Sequence, residues 1–132
     1  MLFRSPIGTG PYASKRQEVF ADWKKGIAAL AEHDNVVVKL GGLGMHVFGF
    51  DLDKLARPAS SEELAKLWKP YIDTCIEAFG PERCMFESNF PVDKLSTGYA
   101  VLWNAFKRLA AGASAAEKTA LFSGTAARVY RL

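Results

Sequence analysis

Cysteine and histidine are scarce in this chain, with two of each in 132 residues. Cys75 and Cys84 lack CxxC spacing, and His33 and His46 lack ligand-type spacing, so a zinc site built from these four is not indicated. Two such thiols with no secretory signal point to reduced, buried side chains in a cytoplasmic protein. No apolar run reaches the length of a membrane span, so no membrane partner is expected. The net charge is only +3 and the basic residues are interleaved with acids along helices, with no concentrated basic stripe. Nucleic acid is therefore not an expected partner. Gly41-Gly42-Leu43-Gly44 lacks the Lys-Ser/Thr of a P-loop and the spacing of a dinucleotide fingerprint, and reads instead as local backbone freedom. No internal repeat or low-complexity segment is present.

What remains is ordinary globular composition, 49% hydrophobic and 23% charged, at the length of one domain. The opening through Tyr12 is punctuated by Gly and Pro and reads as loop. Ser14 and Gln17 have capping-box spacing, and Val19, Phe20, Trp23, Ile27 and Leu30 recur at helical spacing over about residues 15–32. Val36-Val37-Val38-Lys39-Leu40 is short and mostly β-branched, as in a parallel strand buried on both faces. A long irregular stretch follows to about Pro58, and loops of that length are usually functional or disordered.

Ser60 and Glu63 form a second capping box ahead of Leu64, Leu67, Trp68, Tyr71, Ile72, Cys75, Ile76 and Phe79, a broad apolar stripe. Gly80-Pro81 stops that helix. Residues 83–89 read as a second buried strand, closed by Phe90-Pro91. A third helix is expected over about 97–111, a fourth capped by Ser114 and Glu117, and a short last one holding Ala126, Ala127, Val129 and Tyr130. Trp68, Tyr71 and Trp103 fall on apolar stripes and read as packing.

The order is helix, strand, helix, strand, helices, a βα repetition entered halfway through a unit. Two strands are a poor platform for that many apolar helix faces, because parallel strands need neighbours or cover on both edges. The first helix lacks a preceding strand, of which only Leu2-Phe3 would remain. The competing architecture is a compact, mostly helical domain with a two-stranded parallel ribbon.

The segment Arg83-Cys84-Met85-Phe86-Glu87-Ser88-Asn89-Phe90-Pro91 resembles the last barrel strand of the amidohydrolase-related family of TIM-barrel hydrolases, which usually ends Gly-Ser-Asp-aromatic-Pro. Residues 35–42 resemble the penultimate strand, residues 7–12 the loop after the sixth, and Gly124-Thr125-Ala126-Ala127-Arg128-Val129-Tyr130 the closing helix. The resemblance covers nearly the whole chain. It implies an α/β fold: a single partial domain over residues 1–132, the C-terminal portion of a (β/α)8 TIM barrel, with two parallel strands and four to five helices. A complete barrel takes roughly 250 residues.

The resemblance further implies a hydrolase that adds water to a small carbonyl substrate such as a lactone or amide. A divalent metal such as zinc serves some members. The HxH pair belongs to the first strand, which this chain does not carry, and His33 and His46 match no family ligand. The family's last-strand Asp falls on Asn89. An amide cannot accept a proton as a carboxylate can, so Asn89 would orient water or a carbonyl oxygen rather than act as a base.

Alternation along the strand puts Met85, Glu87 and Asn89 on one face, with Glu87 roughly 6–7 Å below Asn89. On the neighbouring strand Lys39 is expected on that face too, since Val38 and Leu40 suit the helices. The reading predicts a Lys39–Glu87 ion pair inside the barrel, below Asn89. Two roles are open: a structural pair, or a carboxylate at Glu87 replacing the one absent at position 89. His46, Asp51 and Asp53 lie on the loop after the first of these strands, and Asp93 and Lys94 after the second, on the face where barrel active sites form. The candidate site is thus Asn89, Glu87 and Lys39 for catalysis, with His46 and Asp93 for substrate binding and no metal ligands. The expected partners are a small carbonyl substrate and either the remaining barrel part or a second copy. The alternative function is a non-catalytic helical or interaction module, or a truncated product, that associates through exposed strand edges.

Overall fold

The computed structural model describes residues 8–132. Leu2 and Phe3, where the sequence suggests the end of a further strand, lie outside these residues. Helix α1 spans Arg16–Ala31, strand β1 Val38–Leu40, helix α2 Ser61–Phe79, strand β2 Cys84–Phe86 and helix α3 Tyr99–Leu109. Helices α4 (Ala115–Thr119) and α5 (Thr125–Tyr130) are joined by a π-helical turn, Ala120–Gly124. Among the described residues β1 and β2 form one two-stranded parallel sheet, with Val38 opposite Cys84, Lys39 opposite Met85 and Leu40 opposite Phe86.

Local sequence explains most boundaries. Ser60 Oγ accepts the Glu63 N–H (3.2 Å) and Glu63 accepts the Ser60 N–H (2.8 Å), which satisfies two orphan donors at the start of α2. Gly80, at φ 76°, closes α2 by donating its N–H to the Ile76 carbonyl. Ser114 and Glu117 repeat the box on α4. The box expected from Ser14 and Gln17 does not form. Lys15 is the N-cap of α1, without a side-chain cap bond, because a short turn at Gly10–Tyr12 precedes it. The start of α1 is held instead by Arg16, whose guanidinium donates to the Phe48 (3.1 Å) and Gly49 (2.8 Å) carbonyls. Helix α2 runs on through Pro70, whose carbonyl accepts the Thr74 hydroxyl.

The core lies between the sheet and the helices. Phe86 of β2 stacks on Phe106 of α3 with ring centroids 4.5 Å apart, and Trp68 of α2 packs against the same ring. Phe20 and Trp23 of α1 meet Tyr71 of α2 at 5.0 and 5.5 Å. Stacked and edge contacts of this kind add to the area each ring buries. Cys75 and Cys84 are free and buried, and burial pushes both thiols up to about 12. Arg83 links the C-terminal ends of two helices: its guanidinium donates to the carbonyls of Phe79 at the end of α2 and of Ala31 and His33 at the end of α1.

The strands are shorter than expected and β1 is not covered on both faces. Leu40 is buried against the helices while Lys39 is exposed, whereas all three residues of β2 are buried. Beside β1, between α1 and α2, lies an apolar cleft of about 320 Å³ lined by Trp23, Ile27, Leu30, Val36 and Tyr71 among others.

Candidate active site

Lys39 of β1 and Glu87, the residue that follows β2, come together across the sheet. Lys39 Nζ lies 2.6 Å from Glu87 Oε2, so the strand alternation brings these two side chains together across β1 and β2. Their side chains are 50% and 27% exposed among the described residues, so the pair is open to solvent on one side. The hydrogen bond and charge of Glu87 hold the Lys39 ammonium above the ordinary lysine range.

Beyond the strand ends the loops after β1 and β2 meet. Asn89 has φ 52°, a left-handed conformation that Asn tolerates better than most side chains. Its Nδ2 donates to Asp93 Oδ1 at 2.8 Å, and Asp93 Oδ2 accepts the Gly44 N–H at 3.3 Å. A Cβ at Gly44 would lie 2.9 Å from the Asp93 carboxylate, so a glycine there permits the approach. Ser96 adds a bond from its hydroxyl to the Gly44 carbonyl. Asp93 is 1% exposed. Burial pushes its carboxyl above the ordinary carboxylate range, opposed by the bonds from Asn89 and Gly44 and assisted by the nearby Glu87 charge. Each Asp93 oxygen thus accepts one bond, and the carboxylate links the loop after β1 to Asn89 and to the loop after β2.

His46 is exposed, with Nδ1 4.0 Å from Asp53. Ligating atoms of His46, Asp51 and Asp53 lie within 4.8 Å of one another, a convergence that residue spacing did not suggest. Asp51 is already paired with Lys54 at 2.7 Å.

A family profile described as Amidohydrolase matches residues 8–132. The chain belongs to this amidohydrolase family. An uncharacterised Sinorhizobium fredii protein, y4mH, is 42% identical over 113 residues, covering 86% of this chain and 34% of that protein. An L-fucono-1,5-lactonase from Burkholderia multivorans is 36% identical over 113 residues, covering 85% of this chain and 36% of its own. Two crystal structures of an amidohydrolase from Burkholderia multivorans share the fold. The one with bound zinc has a TM-score of 0.74 at 35% identity, covering 88% of this chain and 39% of that one. The one with bound HEPES has 0.76 at 33%, covering 92% and 40%. The amidohydrolase chain described here thus spans about a third of the length of these curated relatives, and its two strands and helices correspond to part of an amidohydrolase TIM barrel.

Proposed function

We propose that this chain contributes the carboxylate of a lactone-hydrolysing site, with Glu87 as general base. The observation that carries the reading is the Lys39–Glu87 pair at the carboxyl end of two parallel strands. Similarity to a lactonase supports a lactone as the substrate class. Glu87 takes a proton from water as the water oxygen bonds to the lactone carbonyl carbon. The ring C–O bond then breaks, and its oxygen recovers the proton to give a hydroxy acid. Lys39 fixes the orientation of Glu87. Where a divalent metal is used it would polarise the carbonyl.

The test is hydrolysis of lactone, ester and amide substrates by this chain, with and without zinc or manganese. Glu87→Gln and Lys39→Met are measured here and at the matching positions of a longer relative. Loss of the base is expected to lower kcat by about 100-fold or more. Normal turnover with reduced stability in both variants would sink the catalytic role.

A second reading has its own support. Among the described residues each strand is paired on one edge only, and Val92, Leu95 and Tyr99 in and after the loop that follows β2 are exposed. Open edges and apolar surface together favour association, either with a second copy or with the other strands of a barrel.

A further inference from the structure

We propose that Asp93 is a positioning residue that dictates the chemistry of position 89: its carboxylate requires a donor there, so residue 89 meets the substrate as an amide and not as a base. This deepens the reading of Glu87 as the base and rests on it for its catalytic meaning.

The argument starts from valence. Asp93 is buried and accepts two hydrogen bonds, one from the Asn89 amide and one from the Gly44 backbone. The Asn89 Nδ2 donates to its Oδ1 at 2.8 Å, so position 89 serves Asp93 as a donor. A carboxylate at position 89 would face Asp93 directly, with Glu87 as a third negative charge close by. Asn89 meets the requirement and has one amide N–H and its Oδ1 left over. That oxygen accepts a hydrogen bond from water or a substrate hydroxyl without removing the proton. Position 89 then orients, and proton transfer falls to Glu87. The departure from the Gly-Ser-Asp-aromatic-Pro pattern is thereby tied to one specific neighbour, four residues along the chain.

The experiment is a swap in the 132-residue chain. Asn89→Asp, Asp93→Asn and the double variant are compared by thermal melting at pH 7, and the Asn89 side-chain amide is followed by 15N NMR. In the native chain one Asn89 amide proton should be protected from exchange and show a through-bond correlation to the Asp93 carboxyl carbon. Asn89→Asp should lower Tm by about 5 °C or more, because it opposes two carboxylates. Asp93→Asn should cost less, because the Asn89 amide can turn its oxygen toward the new N–H donor at 93. The double variant restores complementarity, because the new amide at 93 can donate to the new carboxylate at 89 and accept from Gly44. It should recover most of the loss. Additive losses in the double variant, or an Asn89 amide whose two protons exchange alike, would overturn the proposal. Recovery in the swap together with normal lactone turnover when the matching position of Glu87 is changed to Gln in a longer relative would support the Asn89–Asp93 coupling and count against Glu87 as base, so the two claims fail separately.

Discussion

Gly41 shows how closely the two loops are fitted. A Cβ built there would run into Glu87, at both its Cγ and its carbonyl oxygen. The obstacle includes backbone, which cannot swing aside as a long side chain can. Gly41→Ala should therefore cost on the order of 1–3 kcal/mol, the usual range for overpacking. It should also push Glu87 off Lys39. A urea midpoint measures the first effect. Loss of a slowed, hydrogen-bonded Lys39 ammonium signal in NMR reports the second. An unchanged midpoint would show that the β1 and β2 ends are looser than the structure draws them.

At the scale of elements, α2 has the best-defined start in the chain, and its stability should depend on pH in a stated direction. Glu63 is held down to about 2 by Arg57 first and by the Ser60 bonds second. A depressed carboxylate contributes stability that is present above its unfolded value, near 4.5, and lost as pH falls through the folded value. Thermal melts from pH 5 to pH 2 should show α2 weakening across that window, and Arg57→Ala should move the loss to higher pH. Ser60→Ala at neutral pH should cost about 1 kcal/mol.

The same elements show what sequence reading reached and where it stopped. Ser60/Glu63 and Ser114/Glu117 were legible because a capping box is a bond between residues three apart. Ser14 and Gln17 have the same spacing, yet α1 begins later, since Arg16 is anchored on carbonyls more than thirty residues away. Lys39 and Glu87 follow from period-two alternation plus one guess of register. The Asn89–Asp93–Gly44 link does not follow from any periodicity. It depends on a left-handed residue and on a loop that turns back, and Asn at a strand end was its one visible trace.

For the molecule as a whole, the fold class is what the sequence led one to expect: two parallel strands within a helical setting that matches part of a longer barrel. Among the described residues no helix is long and apolar enough to cross a membrane. The unpaired sheet edges yield a prediction about assembly. Light scattering coupled to size exclusion should give a mass above 14.5 kDa for this chain, and Leu95→Lys should shift it toward the single-chain value. A monodisperse single-chain mass with strong amide protection in β1 would mean that the edges are satisfied in another way.

Arg83 has a consequence for how such a molecule comes apart. One guanidinium ties the last turn of α2 to the last turn of α1 and to the turn just beyond it. Fraying at either helix end strands a cation that the other end also uses. The two helix ends are therefore expected to open in a single step, and this corner of the protein should melt as a unit.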